Sequence, residues 1–326
     1  MTTTRREFLR LAGAAGLAWS LPGCVKGTSP APSLRLGVGA DLHQDIVPDG
    51  AERLAALIDA SRAFGAAAVI QLGDFCQPIA ANLPLLRQWR AAGVPQVDVL
   101  GNHDMDGGFS SDQTTAWMGL KARYSSQVIG GHRIVTLDGN ERPAGRKVAG
   151  YPRFIGTEQL AWLRSTLALD NLPVVVCCHQ GLDGIDAGVE NAAEVRAVLE
   201  AANREAGWSR VRLVLTGHHH LDYLVEVGGI PYLQVNSFSY HWTDKKSAGG
   251  RFPAEVEKRH PYLRQVLVYD RPLFARVELT PEGGRVIGRK ADFVGGYGPA
   301  QAGVATSYAG HPVVPMVSDR DFSLKR

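Results

Sequence analysis

The sequence predicts an α/β protein in which helices pack on β-sheets. Short apolar runs bounded by Gly and Pro, such as residues 34–40 and 67–72, have the length and composition of buried strands. Between them, residues 51–64 place Leu54 and Leu57 at the spacing of one helix face. This alternation of strand and helix continues through most of the chain, and it is typical of layered α/β domains.

The remaining elements follow from the same patterns of apolar residues. Further strands are expected at 97–100, 132–138, 173–178 and 211–216, and further helices at 83–92, 157–168 and 191–206. Towards the C-terminus we expect only short strands, at 223–227, 232–235, 265–269, 274–279 and 285–289. Two segments lack these patterns: we expect 105–131 to form a long loop or cap and 295–326 to form a loosely packed C-terminal tail.

The first 33 residues are expected to be an export signal and linker. Residues 4–10 read TRREFLR, a twin-arginine pattern, and the apolar stretch at 11–21 is shorter than the roughly 20 residues of a membrane-spanning helix. Residues 21–24 resemble a lipoprotein cleavage box in which Cys24 is the lipid acceptor. We therefore expect export by the twin-arginine route, to the periplasm or to a membrane tether through lipidated Cys24. A plain cleaved signal is the alternative to lipidation.

Charge and cysteine content argue against several classes of protein. The formal net charge is only +3 and no run of Lys and Arg is present, so polymeric nucleic acid is a poor candidate substrate. None of the four cysteines has the spacing of a zinc knuckle or a redox pair. Cys76, Cys177 and Cys178 are therefore expected to be buried as small apolar side chains, without a disulfide framework.

Five short patches consist largely of side chains that bind metals. In order, they are DLH at 41–43, GD at 73–74, GNHD at 101–104, His179, and GHHH at 217–220. Each patch follows an apolar run of the strand type. Because sites in open α/β sheets form at the carboxyl ends of the strands, we expect the five patches to converge. Carboxylate, imidazole and amide oxygen gathered in this way can hold two divalent ions, which is an arrangement that cleaves phosphoesters.

Alternation along a strand predicts which side chains point into the site. Asp41 and His43 would project together while Leu42 turns inward, and His218 and His220 would do the same. His219 would then face the opposite side. The glycines at the start of the GD and GNHD patches would let the chain turn sharply as it leaves a strand.

Taken together, the patches resemble the signature of the calcineurin-like metallophosphoesterase superfamily. That signature reads D-x-H, G-D, G-N-H-D/E, a lone His, and G-H-x-H, and every element is present here in order. The resemblance covers roughly residues 34–290. It implies a four-layer α/β/β/α sandwich of the metallo-dependent phosphatase type, with residues 34–294 as the metallophosphoesterase domain.

The same resemblance implies a ligand set for two divalent or trivalent metal ions. It assigns Asp41, His43, Asp74 and His220 to the first ion, and Asp74, Asn102, His179 and His218 to the second. The Asp74 carboxylate would bridge the ions. Ligands of this kind, without thiolate, suit Mn, Fe or Zn rather than copper. A hydroxide that bridges the ions would attack phosphorus in line with the leaving oxygen.

Two further residues receive catalytic roles from the resemblance. His103 is not a ligand in this family; it is similar to the residue that donates a proton to the departing alkoxide. Asp104 would orient the ring of His103. A role for both as structural support of the ligands is the alternative. His219 is expected to be a surface or supporting residue rather than a ligand.

The implied activity is hydrolysis of a small phosphomonoester or phosphodiester, and its subclass stays open. Purple acid phosphatases carry a Tyr three residues after the bridging Asp, where this chain has Gln77, so that subclass is disfavoured. Cyclic-nucleotide phosphodiesterases remain, as do ADP-ribose or nucleotide pyrophosphatases, which are similar to this chain at residues 179–182. The aromatic cluster at 240–242 would either overhang the site and grip a ring or pack at the domain edge.

Three other classes of function fit this pattern less well. A non-catalytic scaffold with the same fold would usually lose ligands or the proton donor, whereas this chain keeps all of them. A metal-storage lipoprotein is suggested only by the three histidines at 218–220, but storage tracts are usually longer and flexible. A nuclease is disfavoured by the nearly neutral charge. The sequence does not indicate an oligomeric state.

Overall fold

The computed structural model describes residues 32–243 and 250–324. Its strands are β1 (Leu34–Gly39), β2 (Ala68–Gln71), β3 (Gln96–Asp98), β4 (Ser125–Ile129), β5 (His132–Thr136), β6 (Val174–Cys177), β7 (Val211–Thr216), β8 (Tyr223–Val227), β9 (Ile230–Gln234), β10 (Tyr240–Trp242), β11 (Val266–Val268), β12 (Ala275–Thr280), β13 (Gly283–Ile287), β14 (Arg289–Lys290), β15 (Ser307–Tyr308), β16 (His311–Pro312), β17 (Met316–Val317) and β18 (Arg320–Ser323). The α-helices are α1 (Gly50–Ala63), α2 (Leu83–Arg90), α3 (Ser111–Met118), α4 (Thr157–Leu167), α5 (Ala192–Ala206), α6 (Ala254–Arg259) and α7 (Pro299–Ala302).

Two six-stranded sheets form the centre of the molecule. One has the strand order β18-β13-β12-β1-β2-β3 and the other has the order β4-β5-β6-β7-β9-β8. Strands β1, β2 and β3 are parallel, as are β5, β6, β7 and β9. Parallel strands place their carboxyl ends along one edge of a sheet, so the loops that follow them can meet.

The main apolar core lies between the two sheets. It includes Leu36 and Ile70 of the first sheet and Val175, Leu213 and Leu233 of the second, and all five side chains are fully buried. Helices α1 and α2 pack on the outer face of the first sheet, and α4 and α5 pack on the outer face of the second. The four-layer α/β/β/α sandwich expected from the sequence is therefore confirmed.

The segment 105–131 is more regular than expected. It contains α3, whose N-terminus has a capping box between Ser110 and Gln113. The helix ends at Gly119, which has a left-handed φ of 73°. The next strand, β4, pairs with β5 at the edge of the second sheet. The expectation of a long loop is corrected because α3 is short and only weakly amphipathic, so its spacing gives little signal in the sequence.

The C-terminal segment is also part of the fold, so the expectation of a loosely packed tail is wrong. Strand β18 pairs with β13 and forms the outer strand of the first sheet. Val317 of β17 is buried in the core between the sheets. Arg320 forms an ion pair with the buried Asp222, with 2.6 Å between Nη1 and Oδ1. These strands are only two to four residues long, too short to show a period-2 pattern.

The expected export signal and lipid acceptor Cys24 lie outside the described residues, because the description begins at residue 32. Among the described helices, none combines the length and the apolar composition that crossing a membrane requires. Cys76, Cys177 and Cys178 are free and buried, as the sequence predicts.

Candidate metal centre

The five patches converge at the carboxyl ends of five parallel strands. They follow β1, β2 and β3 in the first sheet and β6 and β7 in the second. Five residues of these loops have a positive φ although they are not glycine: Asp41 (56°), His43 (51°), Asp74 (51°), His218 (75°) and His220 (50°). Such conformations are uncommon for residues with a side chain and collect at functional sites. The paired orientation is therefore set by strained loops, and the expected alternation along a strand is not its cause.

One group of ligands combines loops from both sheets. Asp41, His43 and His220 each offer an atom, and these atoms lie within 4.8 Å of one another. The Nε2 atom of His220 lies 3.3 Å from Oδ1 of Asp41 and 3.3 Å from Nε2 of His43. Leu42, between the two ligands of the first loop, is buried in the apolar cluster under α1 and α2.

A second group consists of Asp74, His179 and His218, again within 4.8 Å of one another. The Nε2 atom of His179 lies 3.1 Å from Oδ2 of Asp74. The Nδ1 atom of His218 lies 3.2 Å from the same Nε2 atom. Nitrogen lone pairs at this distance from each other and from a carboxylate are well placed to share a cation.

Asp74 connects the two groups. Its Oδ2 atom lies 3.1 Å from His179 in the second group and 3.6 Å from Nε2 of His43 in the first. Its other oxygen, Oδ1, accepts a hydrogen bond from the backbone N–H of His103 at 2.7 Å. One carboxylate oxygen therefore faces both groups while the backbone holds the other, which is the geometry that a bridging ligand needs.

Asn102 offers a further donor atom in the loop after β3. Its Oδ1 atom is buried and has no hydrogen-bond partner among the described residues. Because leaving a buried amide oxygen unpaired costs about 1–3 kcal/mol, such an atom calls for a partner that is a cation or a ligand. The seven residues expected as ligands therefore fit a pair of metal ions, with six in the two groups and Asn102 beside them.

Glycines allow the two loops of the first sheet to approach each other. A Cβ atom on Gly101 would lie 2.1 Å from the backbone nitrogen of Asp74, which is closer than real contacts permit. Gly73 has a φ of 94°, and a Cβ atom there would lie 2.6 Å from the nitrogen of Gly101. Glycine at both positions is thus required to bring Asp74 close to Asn102.

Backbone carbonyls orient two of the imidazole rings. The Nδ1–H groups of His179 and His220 donate to the carbonyl oxygens of Leu72 and Tyr240, each at 2.7 Å. This assignment of the protons follows from the hydrogen-bond network, because only Nδ1 has an acceptor of this kind. The Nε2 lone pairs are then free to face the metal site.

The electrostatics of the centre favour a cation. Burial lowers the pKa of His179, but the neighbouring Asp74 and Asp41 outweigh it and raise that pKa to about 9. Burial opposes ionisation of Asp74, yet His179 and His103 hold its pKa well below the usual range. Burial keeps the pKa values of His43 and His218 low. The centre therefore stabilises positive charge between its carboxylates, and burial keeps the imidazoles of His43 and His218 neutral, which is the form that binds metals.

His103 lies at the rim of the centre with its ring held by a different carboxylate from the one expected. Its Nδ1 atom donates to Oδ2 of Asp106 at 2.7 Å, and the hydroxyl of Tyr151 donates to Oδ1 of Asp106 at 2.7 Å. Burial lowers the pKa of His103, but Asp74 and the hydrogen bond to Asp106 raise it above the ordinary value.

Asp104 accepts hydrogen bonds from backbone N–H groups and does not hold the ring of His103, so the prediction that it orients His103 is corrected. Its Oδ1 atom accepts hydrogen bonds from the backbone N–H groups of Phe75 and Cys76, and its Oδ2 atom accepts one from Gly101. The buried Asp104 carboxylate therefore ties the loop after β2 to the loop after β3. The helical turn that begins at His103 points the side chain of Asp104 away from the ring.

The aromatic cluster at 240–242 lies against the metal centre. The ring of Tyr240 is 5.0 Å from those of His43 and His220, and Trp242 stacks on His103 with 5.7 Å between ring centroids. Of the two readings of this cluster, contact with the site is the one observed. His219 points away, with its Nε2–H donating to the carbonyl of Asp186 at 2.9 Å, as expected for a supporting residue.

Asp106 and Tyr151 are site residues that the sequence did not reveal. Asp106 extends the GNHD patch by two residues, so an Asp at the i+3 position after His103 was the available signal. Tyr151 is 48 residues from His103 and belongs to no motif. Its position depends on the fold alone.

Two neighbouring groups of ligands, with the Asp74 carboxylate facing both, lie at the strand ends of an α/β/β/α sandwich and define a protein that binds a dinuclear metal cofactor. The model of the Metallophos family, described as calcineurin-like phosphoesterase, matches residues 34–222. The chain belongs to the calcineurin-like phosphoesterases. Among curated proteins, no sequence matches the chain.

Solved structures share the fold at low sequence identity. A dimetal phosphatase from Danio rerio is 14% identical, with a TM-score of 0.56 over 90% of this chain and 100% of its own. The protein GAP50, the anchor in the inner membrane complex of Plasmodium, is 12% identical, with a TM-score of 0.51 over 91% and 90%. A purple acid phosphatase from yellow lupin is 13% identical, with a TM-score of 0.51 over 80% and 52%. These likenesses establish the shared fold.

Proposed function

We propose that the protein hydrolyses a small phosphoester with the help of two metal ions bound by the seven residues described above. One observation carries the proposal: Oδ2 of Asp74 lies 3.1 Å from Nε2 of His179 and 3.6 Å from Nε2 of His43, so a single carboxylate oxygen belongs to both groups. Bound at these residues, metal ions would supply positive charge to the phosphate oxygens and would lower the pKa of a water molecule that serves as the nucleophile. Mn, Fe or Zn suits the donor set.

The residues of the chain itself place the substrate and the leaving group. Asp74, Asn102 and the imidazoles would hold the metal ions, while the carbonyls of Leu72 and Tyr240 keep two rings in place. His103 lines the adjoining cavity and is held by Asp106, so it is positioned to give a proton to a departing oxygen. The cavity measures about 510 Å³, a size suited to a small molecule.

A hydrolysis panel tests the proposal. The purified protein would be stripped with a chelator, reloaded with Mn, Zn or Fe, and offered p-nitrophenyl phosphate, its bis ester, cyclic AMP and ADP-ribose. We expect turnover of at least one ester that depends on metal and is lost in the Asn102→Ala variant. Two bound metal ions without hydrolysis of any ester would instead favour the non-catalytic scaffold.

We also propose that the protein works outside the cytoplasm. The twin-arginine pattern at residues 4–10 supports export, and Cys24 supports a lipid tether in place of simple cleavage. Cell fractionation tests both ideas. Replacing Arg5 and Arg6 by Lys is expected to retain the protein in the cytoplasm, and Cys24→Ala is expected to release it from the membrane fraction. Export of the double Lys variant at the normal level contradicts the twin-arginine route.

A further inference from the structure

Two cavities adjoin the metal centre, and Tyr151 lines both of them. The first, here called the arginine cavity, measures about 730 Å³ and is lined by Asn102, Phe109, Arg123, Arg142 and Tyr151, among others. The second, here called the tryptophan cavity, is the one of about 510 Å³, lined by Asp74, His103, Tyr151, Trp242 and Tyr262, among others. Each cavity is lined by at least one residue of the metal centre. A substrate whose phosphate lies at the centre can therefore extend one substituent into each cavity.

The arginine cavity contains one guanidinium group, that of Arg142, without an ion-pair partner among the described residues. Arg123 is neutralised, because its guanidinium lies 3.0 Å from Oδ2 of Asp138 and 3.9 Å from Oε1 of Glu141. Glu141 also lines the cavity, but its carboxylate accepts further hydrogen bonds from Gln159 and from the backbone of Gly156. Arg142 is exposed and has no hydrogen bond or ion pair with any other described residue. A cavity with one free guanidinium favours an anionic occupant.

The tryptophan cavity presents aromatic surface beside the proton donor. Trp242 stacks on the ring of His103 with an interplanar angle of 20°, and Tyr262 is 52% exposed at the other wall. Exposed rings that line a cavity bind flat or apolar groups. His103 lines this cavity, so the oxygen that leaves with a proton departs on this side.

We propose that the substrate is a phosphodiester with two unlike arms, a ring-bearing leaving arm in the tryptophan cavity and a retained arm with further negative charge in the arginine cavity. This inference rests on the proposed function, since it concerns the substrate of the same centre. Water forms a new P–O bond, and the P–O bond to the leaving arm breaks. The leaving oxygen takes a proton to become a hydroxyl, and the retained arm keeps the phosphate as a monoester.

A phosphomonoester fits the same site less well. It has one organic substituent, so it fills one cavity and leaves the other to water. The contacts of the second arm then contribute nothing to the transition state.

A matched pair of chromogenic substrates tests the retained arm. Thymidine 3′-(p-nitrophenyl phosphate), with and without a 5′-phosphate, has the same leaving group and differs only in the distal charge. For the metal-loaded protein we expect kcat/KM to be about tenfold higher when the 5′-phosphate is present. Both diesters should exceed p-nitrophenyl phosphate.

Variants assign the effect to particular residues. Arg142→Gln should remove the advantage of the 5′-phosphate, so that the ratio of kcat/KM between the two diesters falls to about one. Arg146→Gln is the matched control, because Arg146 is in the same loop but pairs with Glu190. The Arg146→Gln variant should keep the higher kcat/KM for the diester with the 5′-phosphate. Tyr262→Ser should raise KM for both diesters about three- to tenfold, through the lost contact with the leaving ring.

Binding provides a readout that does not need turnover. Calorimetry on the metal-loaded protein should show that thymidine 3′,5′-bisphosphate binds more tightly than thymidine 3′-phosphate, with the difference in affinity lost in Arg142→Gln. Equal binding of the two ligands, or a preference for the monoester in kinetics, overturns the inference while the phosphoesterase activity stands. If no ester at all is hydrolysed, the proposed function fails, and the binding comparison still decides whether an anionic arm is recognised.

Discussion

The Nδ1 atom of His103 lies 2.7 Å from Oδ2 of Asp106, and the hydroxyl of Tyr151 donates to the other oxygen of the same carboxylate. This arrangement fixes the ring plane of His103 and leaves its Nε2 atom for the cavity. Asp106 is thereby a positioning residue that acts through His103. Asp104, the direct neighbour of His103, has its carboxylate occupied by three backbone N–H groups and cannot take this role.

Asp106→Asn is expected to impair turnover through the orientation of His103. The variant keeps the shape of the side chain but loses the charge that holds the imidazole, so we expect kcat to fall about tenfold for alkyl esters. Little change is expected for p-nitrophenyl esters, whose leaving group needs no proton. Steady-state kinetics with both classes measure this. A uniform fall for all leaving groups would contradict a positioning role.

Asp104→Asn is the matched control, with a different expected outcome. An amide cannot accept with both ends, so its NH₂ group would face a backbone N–H of Phe75 or Gly101. We expect the free energy of unfolding to fall by about 2 kcal/mol, because a buried backbone N–H group would lose its acceptor. Denaturation in urea measures it. Asp106→Asn should leave this free energy nearly unchanged, since that carboxylate is partly exposed.

His103→Ala should lower turnover most for esters with poor leaving groups. The ring is positioned to protonate a departing alkoxide, and this kind of proton transfer contributes about 10²–10⁴-fold. For alkyl esters we expect a loss in that range, and for p-nitrophenyl esters a much smaller one. A plot of log kcat against the pKa of the leaving group should steepen in the variant. An unchanged slope would rule out the proton-donor role.

The metal centre was predictable from sequence because its residues follow buried strands. Parallel strands end at the same edge of a sheet, so loops that are far apart in the sequence lie close together. Asp41 and His220 are therefore neighbours although 179 positions separate them in the numbering. Details set by loop conformation were not predictable. The positive φ of Asp41 and Asp74, and the turn that directs Asp104 away from His103, depend on contacts between loops that no local pattern encodes.

Sequence signal also fails where elements are short. The strands of the C-terminal segment are only two to four residues long and contain alternating patterns too brief to recognise. Their position is set by pairing with β13 and by the buried carboxylate of Asp222. Tyr151 is a similar case, because its loop is placed by tertiary contacts with Asp106.

Asn102→Ala and His179→Ala should each remove one metal ion and the activity. Asn102 offers an unpaired buried oxygen, and Nε2 of His179 lies 3.1 Å from Oδ2 of Asp74. Each change therefore removes one donor atom from the second group of ligands. We expect metal content to fall from two ions to one and turnover to fall to background, with the circular dichroism spectrum preserved. Elemental analysis after gel filtration measures the content. Full activity in either variant would count against the assignment.

Stability should depend on pH through Asp170. Its hydrogen bond with Arg133 lowers the pKa of this carboxyl in the folded protein. A depressed folded pKa gives stability that is fully present above the unfolded value of about 3.9 and is lost as the pH falls through the folded value. Asp170→Asn should therefore be less stable than wild type at neutral pH and equally stable in strong acid. Urea denaturation across that range measures it, and a constant difference would contradict the linkage.

Arg320→Ala should destabilise the protein, because it leaves the buried carboxylate of Asp222 without its cationic partner. Asp222 is only 6% exposed. Its carboxylate accepts hydrogen bonds from Nη1 and Nη2 of Arg320, at 2.6 and 2.9 Å. Ser318 donates to the same carboxylate but brings no charge. We expect a loss of about 2 kcal/mol in the free energy of unfolding.

Arg285→Ala is the control for that change. Arg285 approaches Asp321 at 3.8 Å in the same sheet, but both side chains are largely exposed, so the loss should be below about 0.5 kcal/mol. Thermal and urea denaturation of the two variants give the comparison. If the two losses were equal, the carboxylate of Asp222 would not need its partner, and β18 would be held by backbone pairing with β13 alone.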